Sequence, residues 1–497
     1  MSEESKGKSW SFPSTYTILV IALIFVAGLT YIIPAGSYDY QDPMGQIIPA
    51  EEASLMSADE RKALKLSPIA GTFTRMESRG QIKHLPMAPI KGFADSVEVA
   101  TFVLFIGGFL GVIAKTRAID VGIASLMTRM RSRLYLLMAM LISIFSLGGM
   151  SYGMGEETIA FYPILLPMMV AAGFDVMAAA AVILLGAGTG VLTSVLNPFA
   201  TGVASDLAGV SIGDGMPFRL VQWALFAFFT MFYVIRYAKR TQKSPMLSVT
   251  HDLNPEINAE ILANHQEHAE KLTLRQTLVL ITFIATFGVM VFSLLPFSDW
   301  NENLASLELG WYFPELAALF LSSSILVGFL AGFNERDIAG SFVAGAKDVL
   351  GVVLVLVLSR GLKVVMEEGM IIDSILAFSE QAVQGLPQVV YINVVYFLHI
   401  ILSIFIPSTS GLAGLSMPIM APLADIAGVS KSLVITAYQS ASGLVNMVSP
   451  TSGILMGALM VSKIPYDRFI KFVWKYIATL FVATMVLLTL GVLLGVG

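Results

Sequence analysis

Apolar runs of about 20 residues recur along the whole chain, and they restrict its fold more than any other feature. A helix of that length crosses the hydrocarbon core of a bilayer, which is about 30 Å thick. Within lipid every backbone N–H and C=O needs a partner from the protein, so that only helices and closed barrels can span it. Runs of this length favour helices. We therefore predict an all-α polytopic membrane protein.

The composition agrees with this class and excludes several kinds of chemistry. Hydrophobic residues make up 56% of the chain and charged residues 13%, against roughly 45–50% and 25% in soluble domains. The chain has no cysteine, which rules out disulfides, thiolate catalysis and cysteine-ligated metals. None of its five histidines is part of an HExxH pattern. We predict no cofactor, no bound metal, no nucleic-acid partner and no enzymatic activity.

Nine apolar runs predict transmembrane helices, and two further stretches are interrupted near the middle by polar and glycine residues. Such an interruption is typical of a re-entrant hairpin, whose two arms start and end at the same membrane face. We therefore predict about nine spans plus two hairpins. The spans are 16–35, 98–115, 176–208, 217–237, 276–296, 312–332, 346–366, 432–461 and 469–496, and the hairpins are 134–172 and 387–428.

The distribution of Lys and Arg predicts the orientation, because positive charge is retained on the cytoplasmic side. Segments 115–133 and 236–275 are rich in both residues, which places them and the N-terminus in the cytoplasm. The connections 209–216, 297–311 and 367–386 have neither residue and fit the opposite face. The loop 36–86 must also lie outside, and its acidic residues roughly balance its six basic ones.

The sequence contains an internal duplication. PILLPMMVAAG (163–173) aligns with PIMAPLADIAG (418–428) at an offset of 255, and Asp95 and Gly108 align with Asp348 and Gly361 at an offset of 253. Matched prolines, glycines and aspartates in the same order are stronger signals than aliphatic matches. The unpaired span 276–296 separates the two copies, so they cross the membrane in opposite directions. Inverted repeats with broken helices at equivalent places are typical of secondary transporters.

Four polar breaks predict a binding site near the middle of the membrane. Proline in a helix frees a carbonyl group, and a substrate or ion can satisfy the freed groups. Proline kinks closed by Ser or Thr side chains are the alternative at each break. The breaks are GMGEET (153–158), SVLNPFATG (194–202), IPSTSGLAG (406–414) and NMVSPTSG (446–453). The candidate substrate-binding residues are Gly155, Glu156, Glu157, Thr158, Asn197, Pro198, Thr201, Ser408, Thr409, Ser410, Gly411, Ser449, Thr451 and Ser452.

Several charged residues within the predicted spans are candidates for binding a charged ligand. An ionised group at that depth is costly unless it is paired or hydrated. Glu156 and Glu157 would bind a cation, or would be hydrated if the hairpin turn lies at the interface. Arg360 would bind a substrate carboxylate, or would pair with an acid such as Asp348, Glu98 or Glu367 or with loop carbonyls, and Asp348 is a candidate for a charge pair or a coupling ion. His399 is a candidate proton relay, with a packed, hydrogen-bonded histidine as the alternative.

Several motifs together resemble the YfcC-like transporters. These are grouped with the ArcD-like basic amino acid antiporters and the anaerobic four-carbon dicarboxylate carriers of the ion transporter superfamily. The resemblance covers nearly the whole chain except 36–86 and 238–270. The motifs are FP-x-x-YTILV with IIPAG, GMGEET with FYPILLP, LNPFATGVAS, SRGLKVVMEEGMIIDSI, and IPSTSGLAGLSMPIMAPLAD followed by SPTSGILM.

The resemblance implies a homodimeric elevator transporter of the bacterial inner membrane, embedded in lipid, with a small-molecule substrate and sodium or proton coupling. Two acids at one hairpin tip favour a basic amino acid, exchanged in an arginine/ornithine-type antiport. A four-carbon dicarboxylate or another organic anion is the alternative substrate. The expected domains are scaffold 1–133, transport core 134–240, cytoplasmic linker 241–275, scaffold 276–385 and transport core 386–497.

Overall fold

A computed structural model describes residues 15–119, 121–122, 133–263, 273–293, 306–311 and 313–496. The predicted cytoplasmic segments 115–133 and 236–275 lie partly outside these ranges, as does the predicted N-terminal cytoplasmic segment. By length and composition, eight of the described helices could cross a membrane, or nine if one bent pair counts as a single span. The prediction of a polytopic, helical membrane protein is therefore confirmed.

The described part of the first half contains ten α-helices and a small strand-containing loop. Helices α5 and α6 lie within the predicted hairpin 134–172. Helices α7 and α8 lie within the predicted span 176–208, which is broken as expected. The helices are α1 (Thr15–Leu29), α2 (Ala50–Ala53), α3 (Ala58–Ala63), α4 (Ala88–Thr116), α5 (Leu134–Tyr152), α6 (Tyr162–Ala171), α7 (Val176–Thr193), α8 (Val203–Ala208), α9 (Met216–Lys243) and α10 (Asn254–Ala263).

The described part of the second half also contains ten α-helices. Helices α16 and α17 lie within the predicted hairpin 387–428. Helices α18 and α19 correspond to the predicted span 432–461. The helices are α11 (Leu274–Ser293), α12 (Phe313–Ala331), α13 (Glu335–Asp348), α14 (Leu350–Glu368), α15 (Ile372–Val383), α16 (Gln388–Phe405), α17 (Thr409–Ala427), α18 (Lys431–Asn446), α19 (Gly453–Val461) and α20 (Tyr466–Leu493).

Local sequence signals explain where many of these helices start and stop. The Asp175 side chain accepts a hydrogen bond from the Ala178 N–H at 2.8 Å and caps α7, and Ser430 caps α18 in the same way. Gly428, which has a φ of 69°, ends α17. Side-chain caps and left-handed glycines satisfy backbone groups that a helix end leaves without a partner.

Some predicted boundaries and elements were wrong. Helix α4 begins at Ala88, ten residues before the predicted span 98–115. The prediction missed this first part of the helix because its small residues Gly92, Ala94 and Ser96 do not form an apolar run. The predicted span 346–366 is α14, and a separate amphipathic helix, α13, meets it at a bend of 46°. The predicted connection 367–386 contains helix α15. Polar residues on one face of α13 and α15 concealed both helices.

The loop 36–86 is a small folded unit, which the all-α prediction did not include. Its five two-residue strands form two antiparallel sheets, one with the order β1–β5 and one with the order β3–β2–β4. The strands are β1 (Gly36–Ser37), β2 (Tyr40–Gln41), β3 (Ile47–Ile48), β4 (Ser67–Pro68) and β5 (Thr74–Arg75). Tyr38 donates a hydrogen bond to Glu380 at 2.9 Å, so the unit is docked on α15.

A second contact between this loop and α15 involves three polar side chains. The Tyr40 hydroxyl donates to Asp373 Oδ2 at 3.0 Å and accepts a hydrogen bond from Arg61 at 3.0 Å. Arg61 also lies 3.7 Å from the Asp373 carboxylate. Tyr40 and Asp373 are both buried. Strand β4 contacts α17 as well, so the loop touches both α15 and the second hairpin.

The buried side chains form two hydrophobic clusters. One cluster is built mainly on α4, α11, α12 and α14, while the larger one extends from α1 through the hairpins and the broken helices to α20. Within the larger cluster α5, α7 and α9 pack against one another, and α16, α18 and α20 do the same. Helix α7 also packs on α18, which brings the two broken helices together.

Candidate functional site

A cavity of about 190 Å³ lies where the four breaks meet. The helix pair α7 and α18 forms one side, and the two hairpin tips and α14 form the others. Its volume leaves room for a small organic molecule, since a water molecule takes up about 30 Å³ in the liquid. The predicted residues that line it are Gly155, Glu156, Glu157, Thr158, Asn197, Ser408, Thr409, Ser410, Thr451, Ser452 and Arg360.

The tip of the first hairpin is fixed by its own backbone. Gly153 ends α5 with a φ of 80°, and a Cβ atom there would lie 2.6 Å from the Asn197 side chain. Glycine adopts this left-handed conformation at no steric cost. The Thr158 hydroxyl donates to the Gly155 carbonyl at 2.6 Å. The tip therefore packs closely against the break in α7.

The two adjacent acids have different environments. Glu157 is buried, and its carboxylate accepts a hydrogen bond from the Gly155 N–H at 2.9 Å, so it stabilises the turn. The Glu156 side chain is 24% exposed and lies 3.9 Å from the Arg360 guanidinium. Of the two acids, Glu156 is the one that faces a cation across the cavity.

Arg360 has different partners from those predicted. It lies 3.7 Å from Asp95 on α4 and 3.9 Å from Glu156. The proposed partner Asp348 is exposed at the end of α13, on the far side of the bend between α13 and α14. Pairing Arg360 with Asp348 was therefore wrong: a sequence separation of 12 residues places the two groups about three helical turns apart.

The break between α7 and α8 is held open by side chains. Asn197 Oδ1 accepts hydrogen bonds from the Phe199 N–H at 2.9 Å and the Ala200 N–H at 3.2 Å, which caps the π-helical turn Pro198–Gly202. The side chain of Pro198 is outside the described part of the structure. Thr201 does not line the cavity; its hydroxyl lies 2.6 Å from Gln439 Oε1. It contributes to the link between the broken helices.

Two helix N-termini point at the cavity from the second half of the chain. The Ser408 hydroxyl caps α17 by accepting from the Gly411 N–H at 3.3 Å, and the Ser452 hydroxyl caps α19 by accepting from the Leu455 N–H at 3.4 Å. Gly411 is in the first turn of α17 and is not among the lining residues. Helix N-termini carry partial positive charge and attract anions.

The second hairpin tip is tied to α18. The Tyr438 hydroxyl donates to the Thr409 carbonyl at 2.7 Å, and the Asn446 side-chain amide donates to the Pro407 carbonyl at 3.2 Å. Ser449 does not line the cavity; its hydroxyl is 2.7 Å from that of Thr451. This pair closes the break between α18 and α19.

His399 lies away from the cavity. It is fully buried, its Nδ1 is 2.8 Å from the Val395 carbonyl and its Nε2 is 3.1 Å from the Ser416 hydroxyl. These contacts favour the packed, hydrogen-bonded interpretation over a proton relay. Within the described ranges no three His, Asp or Glu side chains are close enough to hold a metal ion.

Three polar or charged lining residues were not among the predicted site residues: Ser359, Lys363 and Asn446. Lys363 is four residues after Ser359 and three after Arg360 on α14, so its side chain is a helical neighbour of both. That spacing in SRGLK was the available signal. Lys363 is hydrogen-bonded to Asp95 at 2.9 Å, and the Ser359 hydroxyl is buried without a hydrogen-bond partner in the described structure.

A polar, charged cavity surrounded by broken helices in an apolar helical bundle defines a membrane transporter. The chain belongs to the C4-dicarboxylate anaerobic carrier family, DcuC, whose profile matches residues 12–493. An uncharacterised protein of Haemophilus influenzae is 33% identical over 99% of both chains. YfcC of Escherichia coli, provisionally named a basic amino acid antiporter, is 27% identical over 100% of this chain and 99% of its own. The resemblance inferred from the motifs is confirmed.

Two solved structures are similar over most of their length. The YdaH transporter of Alcanivorax borkumensis matches 97% of this chain and 99% of its own at 14% identity and a TM-score of 0.42. MtrF of Neisseria gonorrhoeae, described as belonging to a class of antimetabolite efflux pumps, matches 97% of this chain and 95% of its own at 15% identity and a TM-score of 0.40.

Proposed function

We propose that the chain is a secondary active transporter for amino acids with a cationic side chain, of the arginine/ornithine type. The observation that carries the proposal is the position of Glu156. Its carboxylate faces a cavity whose other walls include the capped N-termini of α17 and α19. The cavity lining thus includes a group that suits a cation and two helix N-termini that suit a carboxylate. A basic amino acid presents both groups.

The acid and the helix N-termini that line the cavity have separate roles in this proposal. The side-chain ammonium or guanidinium group of the substrate would pair with Glu156. The substrate carboxylate would accept hydrogen bonds at the helix N-termini near Ser408 and Ser452. The provisional name of the Escherichia coli relative supports the same substrate class.

A four-carbon dicarboxylate is the second candidate substrate. Arg360 and Lys363 both line the cavity, and the family is described by that substrate class. Lys363 is already bonded to Asp95, which leaves Arg360 as the main cation for a second carboxylate. Glu156 beside it would repel that carboxylate, and on this ground we favour the basic amino acid.

We further propose the architecture of two inverted repeats that work as an elevator, with the N-terminus in the cytoplasm of the inner membrane and two copies per assembly. Support comes from the equivalent packing of α5, α7 and α9 and of α16, α18 and α20. The separate cluster on α4, α11, α12 and α14 supports a scaffold formed by parts of 1–133 and 276–385. Residues 134–240 and 386–497 would form the core, and the linker 241–275 would join residues 134–240 to the scaffold segment 276–385. Sodium or protons would supply any coupling.

Thermal unfolding of the purified protein with a ligand panel tests the substrate class. A ligand that binds only the native state at 100 times its Kd stabilises by about 2.7 kcal/mol. We expect arginine and ornithine to raise the Tm, and succinate to leave it unchanged. The Glu156→Gln variant should lose the shift with arginine. A Tm raised by succinate in both proteins, with no response to arginine, would support the dicarboxylate.

A further inference from the structure

Arg360 lies between two carboxylates that belong to different parts of the molecule. One nitrogen, Nη1, is 3.7 Å from Asp95 on α4, and the other, Nη2, is 3.9 Å from Glu156 at the tip of the first hairpin. Helices α4 and α14 pack along each other, so Asp95 and Arg360 are carried by one helix pair. Glu156 is carried by the hairpin that closes the cavity.

The guanidinium group is attracted to both acids but is not locked to either. Both separations exceed the 2.7–3.2 Å of a normal hydrogen bond. Asp95 has a closer cation, because Lys363 donates to its other oxygen at 2.9 Å. The Arg360 side chain is 29% exposed. The guanidinium group can therefore move away from Glu156, and Asp95 on α4 still has Lys363 as its counter-charge.

We propose that Arg360 is a resident cation that takes the place of the substrate's cationic group at Glu156 whenever the cavity is empty. The inference rests on the proposed function, because it assumes that the substrate brings a positive charge to Glu156. Substrate and Arg360 then compete for one carboxylate. The substrate displaces the guanidinium, which stays beside Asp95, and Arg360 returns to Glu156 when the substrate leaves.

This competition makes exchange faster than net transport. When substrate is bound, Glu156 moves across the membrane with the hairpin while it is paired with the cationic group of the substrate. When the cavity is empty, movement of the hairpin away from α14 must separate Glu156 from Arg360 and expose an uncompensated acid at membrane depth, which is costly. Arg360 stabilises the empty resting state and does not stabilise the crossing state. The empty core is thereby held in place until new substrate binds.

Efflux from proteoliposomes loaded with labelled arginine or ornithine tests the inference. Efflux is measured with and without unlabelled substrate outside, for the natural chain, for Arg360→Gln and for Arg336→Gln, an exposed arginine on α13. We expect the natural chain and Arg336→Gln to release label mainly when substrate is present outside. Arg360→Gln should raise net efflux about tenfold, a value between those of exposed and buried ion pairs, and should bind substrate more tightly.

The outcomes separate this inference from the proposed function. Should Arg360→Gln keep the exchange-to-net ratio and the Kd of the natural chain, Arg360 does not act as a resident cation, although the substrate class stands. Should the natural chain transport neither arginine nor ornithine, the proposed function fails instead. Loss of fold in Arg360→Gln is monitored by its Tm. If that variant does not fold, Arg360→Lys, which keeps the charge, must show the low net efflux of the natural chain if the inference holds.

Discussion

The Glu157 carboxylate accepts a hydrogen bond from the Gly155 N–H at 2.9 Å, across a turn of two residues. The neighbouring acid, Glu156, points to Arg360 instead. The two residues are adjacent in sequence and chemically identical, yet one of them shapes the hairpin tip and the other carries charge into the cavity. Substitutions that remove these two interactions should therefore have different effects.

Glu156→Gln should keep the stability of the protein and weaken the binding of arginine. Removing one partner of a desolvated charge pair typically costs about 2–5 kcal/mol. Glu157→Ala, which removes the acceptor of the Gly155 N–H, should instead lower stability by about 1–3 kcal/mol, because a buried donor is left without a partner. Equilibrium binding and thermal unfolding of both variants provide the comparison. Equal loss of binding with unchanged Tm in both would contradict the separate roles.

Gly153 should not tolerate a side chain. Its φ of 80° and the close Asn197 side chain mean that Gly153→Ala combines backbone strain with a steric clash. We expect a loss of about 1–3 kcal/mol and a large decrease in transport. Gly414 on α17 is the matched control, because a Cβ there meets nothing within 4 Å. Gly414→Ala should be neutral or slightly stabilising, and a similar defect in both variants would refute the explanation.

Gln439 should couple the two broken helices. Its side-chain amide donates to the Thr193 carbonyl at 2.5 Å, and its Oε1 is 2.6 Å from the Thr201 hydroxyl. Gln439→Ala leaves both groups buried without that partner, which should destabilise the protein by about 1–3 kcal/mol. Gln381→Ala, at an exposed position, is the control. Denaturant unfolding in detergent measures both variants, and equal midpoints would show that the link contributes nothing.

The docking of the 36–86 loop should depend on pH through Asp373. Burial raises the pKa of Asp373 above its usual value of 3.8, although Arg61 acts in the opposite direction. Because the pKa of Asp373 is higher in the folded state than its usual value of 3.8, its contribution to stability is complete below pH 3.8. This contribution is lost as the pH rises through the folded-state pKa. Docking should therefore weaken with rising pH in the natural chain more than in Asp373→Asn.

Cysteine labelling can measure this effect, because the natural chain has no cysteine. Ala53 in the loop is fully buried, so a cysteine introduced there reacts when the loop opens. Dividing the labelling rate of the chain that keeps Asp373 by the rate of the Asp373→Asn variant removes the intrinsic pH dependence of the thiol. We expect that ratio to increase with pH from about 4 upward. A constant ratio would mean that Asp373 does not titrate in this range.

The membrane class, the family and the positions of the breaks could be predicted from the sequence. Runs of apolar residues specify spans, and GMGEET and SPTSG interrupt them with residues that helices rarely accommodate in lipid. These signals are local. Each break is visible without knowledge of what packs against it, which is why ten of the fourteen predicted binding residues line the cavity.

The partners across the cavity could not be predicted, because they depend on tertiary contacts. Asp95 and Arg360 are 265 residues apart, and nothing near either residue indicates the other. The different roles of Glu156 and Glu157 depend on one backbone hydrogen bond within a turn. The helices α13 and α15 were missed for a simpler reason: they are amphipathic, and a scan for apolar runs does not detect them.

Counterflow into proteoliposomes tests the proposed substrate class most directly. Vesicles preloaded with unlabelled arginine or succinate receive the same labelled compound outside, for the natural chain and for Glu156→Gln. The account predicts rapid accumulation of labelled arginine by the natural chain, its loss in Glu156→Gln, and no accumulation of succinate. Accumulation of succinate without accumulation of arginine, unaffected or increased by Glu156→Gln, would contradict it.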